Sequence, residues 1–221
     1  MVNNWQIILE DQITSLKQCG LINIADQVMI SYSNNNKEVL SNFIDPLIGD
    51  ISNTILTTAE ATSAPWGGQA MNMIHEYCKN QPSPQTAAVF YFHNKGASKW
   101  RADWKDHFND TWSYSHSLYW RKYLEYFLIE RPSLCLEKIL LQNATTCGAN
   151  WHPKMNNHYS GNFWSASCEH IQQLQPMTGN DTNYVAAEMW LGRVKGRHAN
   201  LFTTAKNLYN ELIMPKEYAF E

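Results

Sequence analysis

The sequence predicts a single α/β domain, an α/β/α sandwich built around a mostly parallel sheet, and three observations carry that expectation. Short apolar segments suited to strands alternate along the chain with longer segments of helical period. One short segment, residues 87–92 (AAVFYF), is a continuous apolar run of the kind buried on both faces of a parallel sheet. With 221 residues, 44% hydrophobic and only 17% charged, the chain can build one full core, and no linker-like stretch divides it.

The elements follow in order. Residues 5–18 place Ile8, Leu9, Gln12, Ile13 and Leu16 at helical spacing behind the capping candidates Asn3 and Asn4, with Gly20 as the stop. Residues 27–33 (QVMISYS) read as a strand closed by a turn-rich SNNNK, and residues 53–59 as a second, weaker strand. Residues 68–79 set Met71, Ile74 and Cys78 on one helical stripe ended by Pro82 and Pro84. After the strand at 87–92, residues 98–143 are helical in pattern, with Pro132 opening the second helix of that stretch. Strands are expected at 144–150 and 159–166, and helices at 167–175, 183–191 and 203–213.

Composition excludes several classes. The net charge is -3, and the densest basic stretch, Arg193, Lys195, Arg197 and His198, is interrupted by Gly192 and Gly196. It reads as a solvated turn, so nucleic acid is not an expected partner. No stretch approaches the apolar length of a membrane span, and Glu10 and Asp11 fall where a signal peptide needs its apolar run. The five cysteines, at 19, 78, 135, 147 and 168, show neither C-x-x-C pairing nor metal-ligand spacing, which leads us to expect reduced thiols in a cytoplasmic setting. Nine Trp is several times ordinary usage, and an indole N–H is expensive to bury unpaired, so some of these rings are expected to line a pocket.

Ligand sites in open α/β sheets lie beyond the carboxyl ends of strands. Directly after the strand at 87–92 come His93, Asn94, Lys95 and Gly96: three polar side chains of different chemistry and a glycine that lets backbone approach a ligand. An ordinary polar loop is the alternative. Residues 158–164 combine Ser160, Gly161 and Asn162 with the flanking rings of Tyr159, Phe163 and Trp164, a mixture that suits a sugar with one apolar face and a belt of hydroxyls. The competing reading is a core strand whose glycine admits a neighbouring helix. Glu188, in the apolar stretch that contains Trp190, either pairs structurally or faces a pocket as a base.

Taken together, Asn4-Trp5, YFHNKG at 91–96, YWRKYLEYF at 119–127, CGANW at 147–151, HYSGNFW at 158–164 and E-x-W at 188–190 resemble a family of small glycosyltransferase-like proteins. That family is characterised by a Y-x-H-[ST]-K-G loop and an H-[FY]-S-G-N-F-W-W segment, and the resemblance covers residues 4 to about 191. It implies a GT-A-type nucleotide-diphospho-sugar transferase fold over residues 1–221, with a chain that begins after the position of the family's first strand. It also implies a nucleotide-sugar donor, a glycan or other hydroxyl acceptor, and a donor site of His93, Lys95, Gly96, Ser160, Gly161, Asn162, Phe163 and Trp164. Glu188 and His93 would be catalytic, with His158, Trp190 and Arg121 lining the acceptor side. Asn94 stands where the family has Thr or Ser, and Ser165 where it has a second Trp. The loop has no D-x-D motif, and a manganese or magnesium ion is left open, with His158 and Asp103 as the ligands to consider. The rival class is a noncatalytic carbohydrate-binding module on the same fold.

Overall fold

In the computed structural model, the structure describes residues 4–32, 37–49, 55–60, 68–95, 97, 108–153, 157–179, 181 and 185–219. Helix α1 (Asn4–Cys19) buries Ile8, Gln12, Ile13 and Leu16 on one stripe, as their spacing requires, and Gly20 ends it at φ 77°. A short α2 (Leu21–Ile24) leads into β1 (Gln27–Tyr32). Strand β1 is joined to β2 (Ile55–Glu60), with which it pairs in parallel, through α3 (Lys37–Ile48). The sequence expectation did not include α3, because the Asn-rich stretch at 33–37 read as a turn; Ile44 and Ile48 nevertheless lie buried one helical turn apart.

Helix α4 (Gly68–Lys79) buries the expected Met71, Ile74 and Cys78 and precedes β3 (Ala88–Tyr91). The long helical stretch is α5 (Phe108–Glu125), continued by a π-turn segment (Tyr126–Glu130), then α6 (Pro132–Leu136) with Pro132 in its first turn and a second π segment (Glu137–Leu141). Next come β4 (Thr146–Gly148), the hairpin β5 (Trp151–His152) with β6 (His158–Tyr159), β7 (Trp164–Ser167), α7 (Cys168–Ile171), α8 (Ala186–Met189) and β8 (His198–Asn200).

The described strands form a mixed α/β architecture. The main sheet has the order β3-β7-β4-β8. Strand β7 is antiparallel to both β3 and β4, and β4 is parallel to β8. Three strands therefore run one way and β7 alone is reversed between two of them. The sheet is consequently mixed, and β3 shows alternating rather than two-sided burial, with Val89 and Tyr91 facing in.

Two expectations are corrected. Residues 203–213 are not helical: Lys206 Nζ donates to the Leu212 carbonyl at 2.7 Å and to Glu217, and Glu211 accepts from the Asn207 amide at 2.8 Å. Such side-chain bonds compete with a helical ladder, and Tyr218 anchors the segment's far end with its ring 5.1 Å from Tyr123 and 5.3 Å from Tyr126. The cysteines are not all reduced thiols. Cys78 bonds to Cys168 and Cys135 to Cys147, with Cα atoms 4.8 and 5.4 Å apart, and Cys19 is free. Spacing could not reveal a pair 90 residues apart; packing of α4 on α7 brings it together. Among the described residues no helix is long and apolar enough to cross a membrane.

Candidate functional site

Sheet register places Tyr91, Trp164, Gly148 and Asn200 in one row. That row is the carboxyl end of β3, β4 and β8 and, because β7 is reversed, its amino end. The HNK loop after β3 and the SGNF turn before β7 therefore emerge at the same edge, where α/β sheets place ligands.

His93 Nε2 lies 3.1 Å from the Gly161 carbonyl oxygen. A carbonyl only accepts, so Nε2 carries the proton and Nδ1 presents its lone pair. Burial pushes the imidazole pKa down to about 4, the neighbouring Lys95 charge adds to the fall, and the Gly161 bond only partly opposes it. His93 is thus a neutral hydrogen-bonding group at neutral pH. Its own carbonyl accepts from Gln12 Nε2 at 3.1 Å, and the same amide donates to Glu125 Oε1 at 2.9 Å.

Glu125 is fully buried and bound by Arg121 at 2.8 Å and Lys122 at 3.3 Å, and both of these also bind Asp11. Burial opposes ionisation of Asp11, but Lys122 and Arg121 hold its carboxyl below the usual value. A buried carboxylate needs such partners to persist. Arg121 is therefore an internal ion-pair residue that supports the loop through Glu125 and Gln12.

The Lys95 ammonium sits 3.6 Å from the centre of the Trp120 ring. Burial lowers its pKa to about 8, with the Glu188 carboxylate pulling the other way. Glu188, half-buried on α8, also helps to push the Tyr91 phenol above its ordinary value, an effect led by burial of that phenol. Its charge thus reaches both the end of β3 and Lys95. Trp120 is 5% exposed, and its indole N–H has no hydrogen-bond partner among the described residues. The ring of Tyr209, 78% exposed, meets Trp120 edge-on at 4.9 Å.

The SGNFW segment is mostly internal. Gly161 has φ 85°, and a Cβ there would lie 2.6 Å from Leu124 Cδ1 and 3.0 Å from Trp120 Nε1, so no side chain fits. Asn162 accepts from Trp164 Nε1 at 2.9 Å, whereas Phe163 and Trp164 are 0% and 1% exposed. Ser160 is half-buried, and its amide donates to the Asn150 carbonyl at 3.0 Å. Asn150 also receives the Thr204 amide on its side chain at 2.8 Å and donates its own amide to Phe202 at 2.8 Å.

The structure thus brings together His93, Lys95 and Gly161 around Trp120, with the Glu188 charge acting on Lys95. Trp190 is fully buried and donates to the Gln175 carbonyl at 2.8 Å. His158 stacks on His152 at 5.2 Å in the hairpin. Gly96 and Asp103 lie outside the described residues. A surface depression of about 450 Å³ beside α4, lined by His75, Lys79, Gln172, Leu174, Gln175 and Pro176, includes none of the expected site residues. Sequence reasoning missed three contributors. Gln12 was visible as one amide on an apolar stripe, Asn150 as part of CGANW, and Tyr209 carried no signal because its segment was expected to be helical.

No curated protein and no solved structure matches the chain significantly. One family model, described as a domain of unknown function (DUF8361), matches residues 2–206, and the chain belongs to that family.

Proposed function

We propose that the protein is a glycosyltransferase that moves a sugar from a nucleotide-diphospho-sugar to a hydroxyl acceptor. The observation that carries the reading is the meeting of His93 with Gly161 at the carboxyl edge of the sheet, beside a desolvated Lys95 and the Glu188 carboxylate. In the transfer, the acceptor oxygen attacks the anomeric carbon, the bond from that carbon to the diphosphate breaks, and its electron pair leaves with the diphosphate. Lys95 meets the departing charge, and Glu188 takes the acceptor proton. His93 Nδ1 accepts a hydrogen bond from a sugar hydroxyl. A GT-A enzyme ordinarily sets a divalent ion at this edge. One neutral imidazole and one ammonium do not make a donor set for it, and no three His, Cys, Asp or Glu side chains gather among the described residues. The two disulfides point to action in an oxidising compartment.

A second reading, a noncatalytic carbohydrate-binding module, is favoured by the loop after β3, which carries no D-x-D motif; the deep burial of Phe163 and Trp164 keeps two of the segment's rings from any ligand and favours neither reading. Thermal shift against UDP-, GDP-, dTDP- and CMP-sugars separates the two. Stabilisation by one nucleotide sugar that is lost in Lys95→Ala supports transfer. Stabilisation by free glycans alone supports the module and overturns transfer.

A further inference from the structure

Between the second π segment and β4 the chain turns at the surface, and the turn carries the triplet Asn143-Ala144-Thr145. Asn-x-Thr with a middle residue other than proline is the acceptor sequence for N-linked glycans, and it has that meaning on an accessible loop of an exported chain. Accessibility and compartment are therefore the two conditions to meet.

The turn meets the first. Asn143 is exposed, and its backbone is left-handed at φ 57°, directly after Gln142 ends the helical stretch. Asn is one of the few residues that fill such a position cheaply. The backbone is anchored, since the Asn143 carbonyl accepts from Arg197 Nε at 2.6 Å and the Ala144 amide donates to the Lys138 carbonyl at 2.8 Å. No hydrogen bond holds the Asn143 side-chain amide among the described residues. A fixed backbone thus presents a free carboxamide to solvent.

The cysteines bear on the second condition. Cys78, Cys168, Cys135 and Cys147 are paired and buried, and such bonds form and persist in oxidising compartments. Asn143 lies inside the short loop that the Cys135 to Cys147 bond closes. Just before the turn, Leu140 and Leu141 are 41% and 77% exposed. A bulky, solubilising glycan two residues further on lies within reach of both.

We propose that Asn143 carries an N-linked glycan. In the transfer, Asn143 Nδ2 attacks the anomeric carbon of a lipid-diphosphate-linked oligosaccharide. The bond from that carbon to the diphosphate oxygen breaks, its electron pair leaves with the diphosphate, and the Nδ2 proton goes to a base of the cell's oligosaccharide transferase. Asn143 precedes β4, whose far end shares the row of Tyr91 and Trp164, so the glycan stands at the edge opposite the His93 loop and leaves that site open. The modification is independent of the transferase reading.

The test is mass spectrometry of the full chain purified from its source cells, before and after the amidase that releases N-linked glycans and converts the bearing Asn to Asp. The tryptic peptide 139–154 should appear at its bare mass only after that treatment, with Asp at 143. Full recovery of the untreated peptide with unmodified Asn143 overturns the proposal. A second arm uses the full chain secreted from a eukaryotic host. Asn143→Gly suits φ 57° and keeps both backbone bonds, Thr145→Ala breaks the triplet, and Thr145→Ser preserves it. The native chain and Thr145→Ser should both shift down on a gel after the amidase, and the first two variants should each lack one such shift. A native shift undiminished in Asn143→Gly would place any glycan on another triplet and overturn the assignment.

Discussion

The imidazole of His93 and the carbonyl of Gly161, 68 residues apart in sequence, meet at 3.1 Å and join the loop after β3 to the turn before β7. Gly161 is the rigid half of that joint. Replacing it with Ala forces a side chain into φ 85° and into Leu124 Cδ1, 2.6 Å away. The left-handed conformation costs roughly 1–2 kcal/mol and overpacking roughly 1–3 kcal/mol. Gly161→Ala should lose about 2–5 kcal/mol in urea unfolding, and an unchanged midpoint would show that the turn is freer than its contacts indicate.

The disulfides should contribute unequally. Closing a loop of 90 residues between Cys78 and Cys168 restricts the unfolded chain more than closing one of 12 between Cys135 and Cys147. Chain-entropy arguments give about 4–5 kcal/mol for the first and about 3 kcal/mol for the second. The Cys78→Ala, Cys168→Ala double variant should therefore melt lower than the Cys135→Ala, Cys147→Ala one by calorimetry. Equal melting would mean that native packing outweighs loop closure.

What was legible in the sequence is what periodicity encodes. Helices α1 and α4 and strands β1 and β3 fall within a residue or two of their expected bounds, since each helix carries one apolar stripe and each strand one short apolar segment bounded by polar residues. Strand β8 was hidden because His198 follows a charged, glycine-broken stretch, and its pairing depends on β4, which lies some fifty residues earlier. The same limit applied to the site. The loop at His93 announced itself by position after a strand, whereas Gln12 supports it from 81 residues away. Arg121 looked like a pocket residue, yet its partners Asp11 and Glu125 hold it inside.

The site should respond to pH in two steps. The folded pKa of His93, about 4, lies below its ordinary 6.5, so the unfolded chain binds more protons between these values. Stability should therefore fall as pH drops from 6.5 to 4. A His93→Asn variant should show a shallower fall in pH-dependent thermal unfolding, and an identical slope would mean that the imidazole is solvated. Lys95, with a pKa near 8 against 10.5 unfolded, adds a second step of the same sign at higher pH: stability gains as pH rises from 8 to 10.5.

On the transferase reading, the charge of Lys95 is also what a diphosphate requires. Raising pH through about 8 removes the ammonium and should weaken nucleoside-diphosphate binding by ~10-fold per unit. Lys95→Arg remains charged throughout and should bind with a flat profile from pH 7 to about 10. Calorimetric titration over that interval checks both. A native profile as flat as the variant's would remove Lys95 from the diphosphate site.

Glu188 carries the remaining chemistry of that reading. Its carboxylate acts electrostatically on Lys95 and Tyr91 from α8. Glu188→Gln keeps size and hydrogen bonding but cannot take a proton. Turnover with the donor identified by thermal shift should drop by ~100-fold or more while donor affinity stays within a few-fold, because general-base catalysis contributes 10²–10⁴. The same substitution removes the charge that favours protonated Lys95, so the pH at which diphosphate binding weakens should shift downward. A loss of turnover without that shift would place the carboxylate away from Lys95. The shift without any loss of turnover would make Glu188 an electrostatic partner of the donor site and leave the proton to another base.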